Sequence, residues 1–180
     1  MNPSRFVLVA ALVLAATPIA ALAQSFASED RDWGAPVQAE FRRSPYHGVT
    51  PREVPGAKTI LTVDLKRLMD SGARPVLIDV LSGDHPQTLP GAAWMPDGGH
   101  GTDVRDALQE KFVVQLAELA GSDLERPVVL FCLSAECWLS YNASLRAVAA
   151  GYRQVYWYRG GIAAWRQAAL PLGRLPAPSR

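Results

Sequence analysis

Between Thr59 and Ala169, short apolar runs alternate with segments whose apolar residues recur every three or four positions; no other feature restricts the possible folds so strongly. Thr59 to Val63 is β-branched and apolar. Asp64 can then cap a short helix in which Leu65, Leu68 and Met69 share a face until Gly72. Val76 to Val80 reads as a buried strand and Ala92 to Met95 as a second short extended piece. Asp103 is placed to open a helix whose Val104, Leu108, Phe112 and Leu116 follow at four-residue steps. Pro127 introduces Val128 to Phe131, an unbroken apolar run suited to a central parallel strand, which is buried on both faces. Trp138 to Ala150 reads as a helix, Gln154 to Tyr158 as a strand and Ile162 to Ala169 as a last helix. Elements in this order predict an α/β sheet covered on both faces, spanning about residues 59–172.

The flanks do not share this pattern. Arg5, the apolar stretch from Phe6 to Thr17, and Ala21-Leu22-Ala23 match the charged, apolar and small-residue parts of a secretory signal. An uncleaved anchor is the alternative, because Phe6 to Ala23 reaches the lower limit of a spanning helix, but Pro18 and the small-residue site favour cleavage. Residues 1–23 are therefore expected to be removed, leaving a periplasmic chain that begins at Gln24 and has no membrane attachment. Residues 24–58 are rich in Pro, Gly and charge and lack either period, which predicts an irregular arm packed by aromatics such as Trp33, Phe41 and Tyr46. Residues 173–180, with Pro176 and Pro178, read as a loose tail. The chain carries 18 basic and 17 acidic residues without a Lys/Arg run, so neither a nucleic-acid surface nor a polybasic membrane patch is expected.

The chemical candidate lies where the central strand stops. Cys132 follows Phe131 directly, and only Leu133-Ser134-Ala135-Glu136 separates it from the second cysteine of the chain, Cys137. In an open parallel sheet, ligands bind at the carboxyl ends of the strands, where helix N-termini favour a thiolate. An inert buried cysteine is the alternative. A tight loop can also bring the two Cα atoms within the roughly 7 Å that a disulfide needs, and export supplies the oxidant. The pair is then either a redox or persulfide-resolving site, Cys132 attacking and Cys137 resolving, or a permanent bond that pins the loop. Trp138 can wall this pocket or fill the core. Asp79, ending a strand on the same edge, can orient the cysteine loop, and Arg159 beside Gly160-Gly161 is the best nearby cation for an anionic ligand. His47, His85 and His100 have no metal spacing with the cysteines, and no cofactor is expected. Asp97-Gly98-Gly99-His100-Gly101 lacks the setting of a dinucleotide loop and reads as a flexible surface turn.

Several of these segments together resemble the rhodanese-like fold in order and spacing. They are VLIDV at 76–80, PGAAWMP at 90–96, VVLFC at 128–132 and GYRQVYWYRGGIAAW at 151–165. The resemblance implies a doubly wound, mainly parallel sheet in which Cys132 is the persulfide-carrying position and residues 133–138 form the substrate-binding loop. A rhodanese loop usually reads Cys-x-x-Gly-x-Arg; here Ala135, Glu136 and Cys137 occupy its last three positions, and Leu81 stands where an arginine often follows the earlier strand. Exchanging a cation for a thiol beside a new carboxylate removes about 1–4 kcal/mol of attraction for an anionic donor some 4 Å away. That argues against thiosulfate transfer. VPGA at 54–57, Cys137-Trp138 and the WLSYNASLRA run resemble a narrower group, the exported PQQ-dependent catabolism-associated CXXCW motif proteins. This second resemblance implies an accessory to pyrroloquinoline quinone-dependent alcohol oxidation, with a quinoprotein dehydrogenase or c-type cytochrome as partner.

Overall fold

A computed structural model describes residues 25–179; the secretory segment expected at 1–23 lies outside them. In chain order the described elements are β1 (Lys58–Ile60), α1 (Thr62–Asp70), β2 (Val76–Asp79), β3 (Gln87–Thr88), β4 (Ala93–Trp94), α2 (Ala107–Ala120), β5 (Val128–Phe131), α3 (Trp138–Ala149), β6 (Val155–Tyr158), α4 (Gly161–Gln167) and β7 (Gly173–Arg174). Five strands form a parallel sheet in the order β1-β6-β5-β2-β4.

The middle position of β5 follows from its composition. All four of its residues are fully buried, because side chains of alternating parity enter the two cores on opposite sheet faces. Val128 and Leu130 meet Phe112 and Leu116 of α2 and Ala143 and Ala147 of α3. Val129 and Phe131 meet Leu65 of α1 and Ile162 and Trp165 of α4. This is the doubly wound, parallel α/β architecture with helices on both faces.

Two helix starts differ from expectation. α2 begins at Ala107 rather than near Asp103, because the Asp106 carboxylate accepts from the amides of Leu108 and Gln109 and so caps the first turn, leaving Val104 outside the helix. α1 begins at Thr62, ahead of Asp64, which pairs with Arg67 on the surface. Its first amide is satisfied from the arm: Glu29 Oε2 accepts from Thr62 N at 2.9 Å and from Thr62 Oγ1 at 2.8 Å.

The tail is tied down. β7 pairs antiparallel with β3, Ser179 N donates to the Trp94 carbonyl at 2.7 Å, and Gln115 Nε2 donates to Ser179 O. These partners are remote in sequence, so no local pattern announces them. The turn at 97–101 is likewise packed: Gly98 and Gly99 are buried, and a Cβ on Gly99 would lie 2.1 Å from the Leu139 carbonyl oxygen. Phe41 of the irregular arm enters a third core cluster with Trp138, Tyr141 and Trp157. Burying such a ring contributes roughly 2–3 kcal/mol, enough to hold a segment without secondary structure.

Candidate functional site: the Cys132–Cys137 loop

β5 ends at Phe131, Cys132 follows at the carboxyl edge of the sheet, and Cys137 is the N-cap residue of α3. The two cysteines are joined by a disulfide with a Cα–Cα distance of 6.2 Å. Their sequence positions bring this about: the strand cannot continue past the sheet edge, and four residues suffice to turn the chain into the next helix. Residues 132 and 137 then face each other across the base of a narrow loop. Cys132 is 1% exposed and Cys137 7%.

The loop is held from two sides. The amides of Ile162 and Ala163 in α4 donate to the carbonyls of Cys132 and Leu133 at 3.0 and 2.9 Å. This close approach requires glycine at 161, where φ is +58° and a Cβ would meet the Cys132 carbonyl oxygen at 2.3 Å. From the other side the arm crosses the loop. Trp138 N donates to the Tyr46 carbonyl at 2.8 Å, His47 forms an antiparallel bridge with Cys137, Gly48 N donates to Glu136 O at 2.8 Å, and Thr50 Oγ1 donates to Ala135 O at 2.6 Å. The arm therefore occupies the α3 N-terminal amide that would otherwise face an anion. The loop's own turn is closed by Cys137 N donating to Ser134 O and by Glu136 N donating to Ser134 Oγ.

Most of the anticipated site comes together: Cys132, Leu133, Ser134, Ala135, Glu136, Cys137 and Trp138 are contiguous on this edge. Leu133 and Glu136 are exposed, Ala135 is buried, and the amides of Leu133, Ser134 and Ala135 take no part in pinning the loop. Trp138 is 5% exposed and packs against Tyr141, with the Arg42 guanidinium over its ring, so it fills the core rather than walling a pocket.

Two residues are not part of the site. Asp79 does not orient the cysteine loop; its carboxylate accepts from Leu81 N, from Thr88 Oγ1 and from His85 Nε2. Arg159 is not available to an anion. Its guanidinium lies 4.6 Å from the Trp33 ring centroid and donates to Thr50 Oγ1 and to the carbonyls of Glu29, Arg31 and Thr50. Burial, followed by the charge of Arg52, lowers it to about 10 against the attraction of Asp32 and Asp30, so it remains a cation at neutral pH. Tyr46, Gly48, Thr50 and Gly161, absent from the sequence-based site, are what close it. Only the paired glycines at 160–161 gave a local sign of this.

The chemical inventory is two buried, bonded cysteines, the amides of Leu133, Ser134 and Ala135, and the arm that crosses the loop. Among the described residues, no group of three or more His, Cys, Asp or Glu side chains is placed to share a metal ion. The model of the rhodanese-like domain matches residues 61–168. This chain belongs to the rhodanese-like domain family. Among solved structures, the rhodanese-like chain is similar to a thiosulfate sulfurtransferase from Pseudomonas aeruginosa, with 22% identity and a TM-score of 0.51 over 68% of this chain and 21% of that one. The chain thus spans about a fifth of that protein's length. It is also similar to a polysulfide-sulfur transferase homodimer from Wolinella succinogenes, with 19% identity and a TM-score of 0.43 over 66% and 79% of the respective chains. No curated protein matches the chain.

Proposed function

We propose that this rhodanese-like protein is exported and that its Cys132–Cys137 pair cycles between dithiol and disulfide in handling sulfur, as an accessory to pyrroloquinoline quinone-dependent alcohol oxidation. One observation carries the chemistry: the family's sulfur-carrying position, at the head of the central strand, is bonded to a second cysteine at the N-terminus of the following helix. In the reduced state the Cys132 thiolate attacks the terminal sulfane sulfur of a polysulfide and becomes a persulfide, the donor's S–S bond breaking and its shortened chain leaving with the electron pair. The Cys137 thiolate then attacks the Cys132 sulfur, forming the S–S bond seen here. The electron pair of the broken persulfide bond leaves with hydrosulfide. A periplasmic dithiol restores the pair, supplying two electrons and two protons and becoming a disulfide itself. The secretory pattern of residues 1–23 supports export. Cys137-Trp138 and VPGA at 54–57 support the pathway, with a quinoprotein dehydrogenase or c-type cytochrome as the partner.

The deciding measurement is the reduction potential of the pair. It is expected above about −250 mV; a value below about −300 mV, with no persulfide on Cys132 of a Cys137→Ser variant after exposure to polysulfide, would sink the cycle. That result would favour a second reading suggested by the burial of both cysteines in a loop that the arm crosses: a non-catalytic binding module with a structural disulfide, engaging the same partner through the arm.

A further inference from the structure

We propose that residues 46–50 are an autoinhibitory strap, seated on the cysteine loop while Cys132–Cys137 is a disulfide and released when it is reduced. The strap hangs between two apolar anchors, Phe41 and Val54, which are 7% and 3% exposed. Between these anchors His47 and Val49 are exposed, whereas Tyr46 packs at the margin of the core and Thr50 is buried, so lifting the strap breaks few apolar contacts besides those of Tyr46. What holds it down is specific. Tyr46 O, Gly48 N and Thr50 Oγ1 bond Trp138 N, Glu136 O and Ala135 O, and Arg159 grips Thr50 at both its hydroxyl and its carbonyl.

Three of those bonds go to residues between the two bonded cysteines or to the residue just after Cys137. The covalent link fixes the loop so that the Ala135 and Glu136 carbonyls and the Trp138 amide face the strap together. When the S–S bond is cleaved, the loop regains conformational freedom, and the same hydrogen bonds must then order it, which weakens them. Reciprocity requires that a seated strap favour the disulfide over the dithiol. The balance of the reduction is simple. An external thiolate displaces one cysteine sulfur to give a mixed disulfide, a second thiolate releases the external disulfide, and two protons complete the dithiol. Both cysteines are buried, 1% and 7% exposed, in a loop that the strap crosses, and on this proposal its opening precedes the first displacement.

The inference rests on the pair being chemically used, yet its test reads separately from that proposal. Amide hydrogen exchange of Gly48 and Trp138 in the oxidised and reduced protein is expected to differ at least about tenfold, faster when reduced. Equal protection in the two states overturns the strap. Thr50→Val keeps the side-chain volume but removes both the donor to Ala135 and the acceptor for Arg159. Reduction of this variant by dithiothreitol should be about tenfold faster than in the parent, while Thr50→Ser should match the parent. An unchanged rate in a folded Thr50→Val protein overturns the proposal; if that variant does not fold, the exchange comparison on the parent decides. A potential in the structural range together with redox-dependent exchange removes the catalytic cycle and leaves the strap standing.

Discussion

Arg159 and Thr50 are held together by two hydrogen bonds, Nε to Oγ1 at 3.0 Å and Nη2 to the carbonyl oxygen at 2.9 Å. Nη1 donates to the carbonyls of Glu29 and Arg31, so a side chain at the ligand-binding edge of the sheet is committed to the arm. Arg159→Lys, which replaces a planar fork by a single ammonium, should therefore lower stability by about 2–3 kcal/mol as buried carbonyls lose their donors. Urea midpoints measure this. A shift under about 0.5 kcal/mol would mean that the clamp does not hold the arm.

Gly161→Ala should be far more costly than Gly121→Ala. Both glycines have positive φ, but a Cβ at 161 meets the Cys132 carbonyl, whereas the position at 121, just past the C-terminus of α2, opens on empty space. Expected losses are roughly 3 and 1 kcal/mol respectively. Similar unfolding midpoints for the two variants would contradict the close packing of α4 on the cysteine loop.

Acid stability should depend on Asp106. Burial pushes its carboxyl up, but hydrogen bonds from Arg146 and Thr102 and the Arg146 charge, 2.8 Å away, outweigh this and bring it from 3.8 to about 2. A folded-state value below the unfolded one stabilises above the unfolded value, and that contribution disappears as the carboxyl is protonated. The parent should thus lose stability from about pH 4 down to about pH 2, and Asp106→Asn should flatten that part of the profile. Glu29 has the opposite sign: burial raises it, against hydrogen bonds from Thr62 and Phe26, so its ionisation disfavours the fold as pH rises. Unfolding curves carried from about pH 2 to neutrality separate the two, the Asp106 effect falling below about pH 4 and the Glu29 effect above 4.5.

Cys137→Ser should trap what the parent resolves. With polysulfide as donor, mass spectrometry should find one extra sulfur on Cys132 in this variant and none in Cys132→Ser. The absence of any adduct on Cys132 would mean that the family's sulfur-carrying position is not used in this chain. Loss of the bond alone should destabilise either variant by about 2 kcal/mol, as expected for so short a loop.

The central strand and its chemistry were legible because they are local. Val128 to Phe131 is apolar on every residue, so only the middle of a parallel sheet buries it, and Cys132 must then emerge at the carboxyl edge. α3 and β6 carried similarly direct signals. The start of α2 is not legible locally, because Asp103 and Asp106 offer the same capping chemistry and the folded backbone uses the second. β3 and β7 were invisible: each has two residues, and each is a strand only by virtue of its partner.

By itself the sequence determined an α/β sheet with two thiols on one loop at its ligand-binding edge, since apolar periodicity and the spacing of Cys132 and Cys137 are properties of neighbouring residues. Tertiary structure decided what faces that loop. Arg159 turned from the site to the arm, and Tyr46, Gly48 and Thr50 closed over the cysteine loop through hydrogen bonds between residues remote in the chain. Such bonds satisfy buried carbonyls and amides that have no local partner, and only the folded arrangement specifies which distant group supplies it.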